Sequence, residues 1–502
     1  MSDVVLKLVG KPETISKGPR LRPRMDELVR EFLASPEQVF DLADAFGSPL
    51  NVMFPQVVSH TIQQFQAVYK RNHLSGRIFF TTKPNKSMAV KRQAAMADVG
   101  ADVSSHKSLL LVLEAGFDAS RIEATGPKNM EYLTLALQQN VILNADNMVE
   151  LEQIVALRKT LGLHRKTRLF VRLSGFKSNR VNFTKQDGTF GVHVDDAEQI
   201  FSFMKVHGEQ FDFQGFSYYV SSATNEQRIV VLEEALKLTF EAMKRGLKPR
   251  GLDIGGGFHV QYAESQAEWA AYTDALKKSV IDDSVEQMTW NNSGLGYRNV
   301  NGLISGAPIY MDHYAGTFGA EDLHKYLNLK LPAFGNQTAA EVLSENMLDL
   351  YIEPGRAMLD QVGITLGRVN HVKESVYGET LVALDMNRSN MHSTNLKLLT
   401  EPVILARNPK RNKRAEGGVY YIGNLCVSYD IIQYNKTFPE FIPEPGDLVA
   451  FINTGPYMMD FIESETLHQR TADRVAVAKQ GGRFRFYRDE LYQPVIEQTF
   501  GN

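Results

Sequence analysis

The chain has 502 residues, 43% hydrophobic and 23% charged, a composition that excludes fibres and disordered polymers and allows a sizeable core. Its 55 Lys and Arg against 58 Asp and Glu leave a formal charge of −3, so no global field favours nucleic acid or an anionic membrane. Cys426 is the only cysteine, which rules out an intrachain disulfide and a Cys-based zinc cluster. With no apolar run of spanning length and no apolar core in MSDVVLKLVGKPE, the expectation is a reduced, cytoplasmic protein without membrane or nucleic-acid partners.

In chain order, helical periodicity runs from Met25 to Leu33 and from Pro36 to Ala45, where Gly47-Ser48-Pro49 stops it. From residue 77 short apolar runs alternate with amphipathic stretches of helical length. The runs are RIFFTTK (77–83), ADVSS (101–105), RIEATG (121–126), VILNAD (141–146), RLFVRLSG (168–175), FDFQGFSYYVSS (211–222), GLDIGGG (251–257) and LDLYIEPGR (348–356). Parallel strands need a crossover between them, so this alternation predicts βα units, and eight strands are the number that closes a (β/α)8 barrel. The span 283–345, rich in Gly, Asn and Tyr, fits neither period and reads as an insertion before the eighth strand. After residue 357 the runs GITLGRVNHVKES, TLVALDM, EPVILAR, GGVYYIG, DLVAFINT and RVAVAKQGGRFRFYR predict an antiparallel β domain.

Barrel enzymes carry their chemistry at the C-terminal ends of the strands. This chain puts Lys83, Asp102, Asn144, Arg172, Tyr219, Asp253 and Glu353 there. Gly255-Gly256-Gly257 follows LDI directly; read alone it is a tight turn, but with Arg356 just past strand eight it suits a phosphate. It is not a dinucleotide fingerprint, because GxGxxG is missing. A lysine leaving an apolar strand is usually solvated, yet partial burial of Lys83 would make it a Schiff-base candidate. A lysine and a phosphate site on one rim suggest pyridoxal phosphate, with Glu353 as partner of the ring nitrogen; the plainer reading of Glu353 is a structural ion pair. A lone thiol such as Cys426 is more often a small buried hydrophobe than a catalyst. The twelve histidines show no HExxH or similar spacing, so no metal is indicated.

TTKPNKS resembles the cofactor-lysine segment of the fold-type III pyridoxal-phosphate decarboxylases, the group of diaminopimelate, ornithine and arginine decarboxylases. GADVSS, EAGFDASRI, NADNMVELEQI, LDIGGGF, EPGR, GNLCVSYD and PGDL follow in that family's order, over about residues 45–470. The resemblance implies an alanine racemase-like α/β barrel with a C-terminal β-sandwich or β-barrel domain. It places residues 1–55 as a segment packing on the β domain, 56–350 as the barrel with its 283–345 insertion, and 351–502 as the β domain. It also implies a homodimer, head to tail, with shared active sites. By match, Lys83 resembles the aldimine lysine and Glu353 the ring-nitrogen partner. Gly255, Gly256, Gly257, Arg356 and Tyr457 resemble the phosphate binders, Asp102 and Arg172 polar residues near the cofactor, and Cys426 the general acid from the other subunit.

Three departures from the family pattern bear on substrate. The family's ring-stacking His is replaced in FSYYVSS by Tyr219, with Ser222 at the phosphate-binding serine. The acidic residue after the catalytic Cys is Val427. The third departure is the insertion. Asp385 and Asp430 remain as candidates to meet a distal amine. The activity implied is decarboxylation of an amino acid or amino-acid conjugate, such as a basic D-amino acid or a siderophore or polyamine intermediate. The alternatives are an amino-acid racemase on the same fold, against which Glu353 argues because the related racemases place an arginine there, and a non-catalytic decarboxylase-like regulator.

Overall fold

The short apolar runs become strands because their inward positions meet one another around a closed cylinder. In the computed structural model, which describes residues 18–181, 189–220, 224–392, 398–410 and 413–494, the chain divides into two compact units. Of the described residues, one comprises those within 58–259, 317–358 and 493–494, and the other those within 18–57, 260–316 and 359–492.

The first unit is a barrel of eight parallel strands: β1 (Gly76–Thr81), β2 (Gly100–Val103), β3 (Ile122–Ala124), β4 (Ile142–Ala145), β5 (Thr167–Ser174), β6 (Phe211–Ser217), β7 (Gly251–Asp253) and β8 (Asp349–Ile352). Each pairs with the next, and β8 pairs with β1, so no edge is left open. All eight coincide with the apolar runs of the sequence. Register sets the polar positions side by side: Thr81 lies opposite Asp102, Asp102 opposite Glu123, and Ser217 opposite Asp253. Phe79, Ile142, Phe170 and Tyr351 form one buried cluster, with Tyr351 stacked on Phe79 at 6.0 Å and edge-on to Phe170 at 5.0 Å. Such ring pairs contribute about 0.5–1.5 kcal/mol each beyond the area they bury.

The turns out of the strands are set by caps. Ser87, Asn129, Asn147 and Thr224 accept backbone N–H groups at the starts of helices Met88–Ala95, Met130–Gln139, Met148–Thr160 and Asn225–Lys244. Thr224 forms a reciprocal box with Gln227, and its loss to Ala costs about 0.5–2 kcal/mol.

The second unit holds an eight-stranded sheet. Its main path runs Val403–Leu405, Leu448–Phe451, Gly363–Glu374, Leu50–Met53, Asp473–Gln480, Arg483–Arg488, with Thr380–Leu384 and Val419–Ile422 branching from Gly363–Glu374. The sheet is mixed, which corrects the expectation of an antiparallel domain. Leu50–Met53 pairs antiparallel with residues 363–366 but parallel with 473–476, and Thr380–Ala383 runs parallel to Val419–Ile422. Both parallel pairs join segments distant in sequence, which no hairpin turn constrains to antiparallel. Residues 260–316, between β7 and β8, belong to this unit. Tyr272, Leu276, Met288, Leu295 and Tyr310 pack there with Leu21, Leu399 and Phe438. The chain re-enters the barrel unit through helices Gly319–Leu327 and Ala339–Glu345. Among the described residues no helix is long and apolar enough to cross a membrane.

Candidate active site

In the barrel unit the sequence-predicted residues gather at the C-terminal ends of β1, β2, β5, β7 and β8. Lys83 lies two residues past β1 and is exposed rather than partly buried. The turn behind it is fixed by Asn85, whose Oδ1 accepts the Ser87 N–H at 2.8 Å, and by Ser87, which caps the next helix. Asp102, at the β2 end, is buried and accepts the Thr125 hydroxyl at 2.5 Å. Burial raises its carboxyl above the usual range, against that hydrogen bond and the charges of Lys83 and Arg172. Arg172, at the β5 end, lies over the Phe190 ring at 4.9 Å.

Glu353 follows β8 and is partly buried. Desolvation, and then the charges of Asp102 and Asp253, push its carboxyl well above the usual range, while Arg172 and Lys83 pull it down. Beneath it sit two fully enclosed carboxyls, Glu123 and Asp253, and the three groups place oxygens within 4.8 Å of one another. Glu123 Oε1 accepts the Asn144 amide at 2.8 Å, and Asn144 in turn accepts the Ser217 hydroxyl at 2.7 Å. Asp253 Oδ1 accepts the Gly255 N–H at 2.8 Å.

The glycine loop lies between strand ends. Gly255 and Gly257 have φ of +65° and +86°, where side chains are strained. At Gly256 a Cβ would come 2.4 Å from the Glu353 carbonyl oxygen, so only glycine fits this approach. The Glu353 N–H donates to Gly255 O at 2.9 Å, tying the loop to the strand that carries Glu353. Tyr219, 46% exposed, runs alongside: its Cδ2 would lie 3.3 Å from a Cβ at Gly255. Arg356 sits in the short helix Gly355–Met358 immediately after. A strained backbone loop that excludes side chains, an arginine beside it, a lysine and a carboxyl on the same rim fit a pyridine ring carrying a phosphate. Ser222 lies outside the described residues.

The same loop is supported from behind. Arg228 donates to Gly257 O at 3.1 Å and to both oxygens of Asp322, at 3.1 and 3.0 Å. Asp322 also accepts the His259 N–H at 3.0 Å and lies 2.9 Å from Nδ1 of its ring. Burial works to raise Asp322, but His259 and Arg228 outweigh it and hold the carboxyl well below the usual range.

The second unit carries the remaining residues. Cys426 is exposed, not a buried hydrophobe. Its loop is held by Asp430, whose two oxygens accept the N–H groups of Arg388 and Leu425, each at 2.8 Å. Asn424, in the same loop, donates to Asp385 at 3.3 Å. Val427 lines a cavity of about 490 Å³ with Trp290, Leu381, Ile422 and Asp430. Tyr457 has φ +70° and meets Phe461 edge-on at 6.1 Å. Sequence reasoning missed Glu123, Thr125 and the Arg228–Asp322–His259 group. Only Glu123 left a trace, as an acidic residue in an otherwise apolar strand (RIEA).

Residues 57–290 match the family model for the pyridoxal-binding domain of pyridoxal-dependent decarboxylases. The chain is 28% identical over 433 residues to the uncharacterized protein y4yA of Sinorhizobium fredii, covering 85% of this chain and 87% of the other. It is 23% identical over 477 residues to diaminopimelate decarboxylase of Staphylococcus aureus, covering 91% and 95%. The solved structure of diaminopimelate decarboxylase from M. jannaschii with L-lysine shares the fold at a TM-score of 0.65 and 18% identity, covering 89% of this chain and 91% of that one. The arginine decarboxylase of Paramecium bursaria Chlorella virus bound to agmatine does so at 0.62 and 18%, covering 88% and 100%.

Proposed function

We propose that the chain is a fold-type III pyridoxal-phosphate-dependent decarboxylase acting on an amino acid or amino-acid conjugate that presents no free ammonium to Val427. The observation that carries the reading is the grouping of Lys83, the Gly255–Gly257 loop and Glu353 at one end of one barrel. When bound, pyridoxal phosphate supplies a protonated ring that takes up the electron pair left by departing CO2. Lys83 holds the cofactor through its amine. The N–H groups of the glycine loop, Arg356 and Tyr457 receive the phosphate, with Ser222 as a further binder. Glu353 holds the proton at the ring nitrogen, and Tyr219 offers its face where the family uses imidazole. Asp102 and Arg172 set the charge around these groups. Cys426 returns a proton to Cα, and it comes from the second subunit of a homodimer.

Substrate choice follows from the residue after that thiol. The similar proteins include diaminopimelate and arginine decarboxylases, which supports a substrate with a polar far end. Val427 offers that end no charge, and Asp430 is already committed to two backbone N–H groups. A basic D-amino acid, or a siderophore or polyamine intermediate with an acylated distal amine, meets both conditions. Asp385 is the remaining carboxylate for a displaced ammonium. The test is CO2 release from purified holoprotein across L- and D-amino acids and their N-acyl conjugates, with mass spectrometry of the products. An amine product identifies the substrate. Loss of optical rotation without CO2 would instead make the protein a racemase.

A further inference from the structure

Glu123 Oε2 and Asp253 Oδ2 are both buried and both lack a hydrogen-bond donor, although every other oxygen of the two carboxyls has one. Two enclosed acceptors side by side repel unless a proton lies between them, and one proton satisfies both. The two carboxyls are matched in their other partners: Asp253 Oδ1 accepts the Gly255 N–H and Glu123 Oε1 accepts the Asn144 amide, so the one missing donor lies between Oε2 and Oδ2.

We propose that Glu123 is a positioning residue: it stays protonated in the barrel and donates from Oε2 to Asp253 Oδ2. This removes one negative charge from beneath Glu353 and leaves Glu353 to face the ring nitrogen. The inference rests on the proposed role of Glu353. Electrostatics agrees with the geometry. Desolvation first, then the charges of Asp253, Glu353 and Asp102, push Glu123 well above the usual range, whereas Asp253 rises only to about 6 and is the anion at neutral pH. The other titratable groups that feel Glu123 are Lys128, Tyr132 and Tyr351, and Lys128 is itself paired with Glu150 at 2.8 Å. The two unpartnered oxygens require one shared proton, and the larger upward shift of Glu123 places it there.

Glutamine reproduces the protonated acid: its Oε1 accepts from Asn144 and its amide donates to Asp253. Three proteins are therefore compared, unmodified, Glu123→Gln and Glu123→Ala, each with and without cofactor. Without cofactor at pH 7, the unmodified protein should show a protonated-carboxyl infrared band that Glu123→Gln lacks. A raised carboxyl destabilises the fold as pH climbs above its unfolded value near 4.5, so the melting temperature of the unmodified apoprotein should fall with pH more steeply than that of Glu123→Gln. With cofactor, Glu123→Ala should weaken pyridoxal-phosphate binding by roughly tenfold and shift the pH midpoint of its absorption band, whereas Glu123→Gln stays within about threefold and keeps the midpoint.

An unchanged band and an unchanged pH slope in Glu123→Gln would overturn the proposal. So would Gln perturbing the cofactor as strongly as Ala, which would mean that a charge is needed at 123. If Glu123→Ala does not fold, the infrared and pH-slope comparison with Gln decides. If the band and slope behave as expected but neither Glu123→Ala nor Glu353→Gln moves the cofactor absorption, the positioning claim and the ring assignment fall together, and the proton on Glu123 stands.

Discussion

The backbone N–H of Leu425 donates to Oδ2 of Asp430 at 2.8 Å, immediately before Cys426. The other carboxylate oxygen takes the Arg388 N–H, and Gly423 leaves the space, since a Cβ there would come 2.1 Å from Asp430 Oδ2. The acidic side chain is thus used to hold the thiol's loop. Asp430→Ala leaves two part-buried donors without an acceptor, at a cost of about 1–2 kcal/mol. Calorimetry should show the lowered melting temperature, and turnover should fall while cofactor absorbance stays. An unchanged melting temperature and turnover would mean that Asp430 does not hold the loop.

Gly256 gives a second prediction. A methyl group there must displace the backbone that carries Glu353, because the carbonyl oxygen stands 2.4 Å from the Cβ position. Gly256→Ala should weaken pyridoxal-phosphate binding by roughly tenfold or more, measured by absorbance titration of the apoprotein. An unaltered dissociation constant would remove the glycine loop from the cofactor site.

The barrel was legible because its strands are buried on both sides and read as continuous apolar runs, from RIFFT to LDLYI. Lys83, Glu353 and the glycine triplet were legible because polar or flexible residues stand out at the ends of such runs. The parallel partners of Leu50–Met53 were not, since pairing between distant segments leaves no local period. Nor was Asp322, which meets His259 from 63 residues further along the chain and looks in sequence like any surface acid.

Lys83 and Cys426 can be tested together. Borohydride treatment of the holoprotein followed by peptide mapping should find the pyridoxyl group on the Lys83 peptide, and an adduct elsewhere would sink that assignment. Cys426→Ala should bind cofactor and lose product. In a dimer with shared sites, mixing inactive Lys83→Ala and Cys426→Ala proteins restores part of the activity. Lack of recovery despite demonstrated subunit exchange would argue that each site is built from one chain.

Asp322 predicts an acid limb of stability. Its carboxyl is held below the unfolded value of 3.8, so its contribution is present above that pH and is lost as pH falls further. Asp322→Ala leaves Arg228 buried without its partner, at a cost of about 3–5 kcal/mol at pH 7. Urea unfolding should show that difference at neutral pH and a smaller one below about pH 3. A difference independent of pH would assign the effect to packing alone.

Val427 makes the sharpest claim about substrate. A carboxylate at this position would hold a distal ammonium through a charge-assisted contact of about 1.5–3 kcal/mol. Valine makes no such contact, and an ammonium brought against its side chain would be partly desolvated and unpaired there. L-Ornithine, L-lysine and meso-diaminopimelate should therefore be poor substrates. A reversed stereocentre removes the penalty by redirecting the side chain, and acylation of the distal amine removes it by abolishing the charge. Val427→Asp should then shift specificity toward L-ornithine or L-lysine by roughly tenfold or more, read as a ratio of kcat/KM values. The claim fails if the unmodified protein already decarboxylates one of these at about 10⁴ M⁻¹s⁻¹ or better, because the ammonium must then be met by another group.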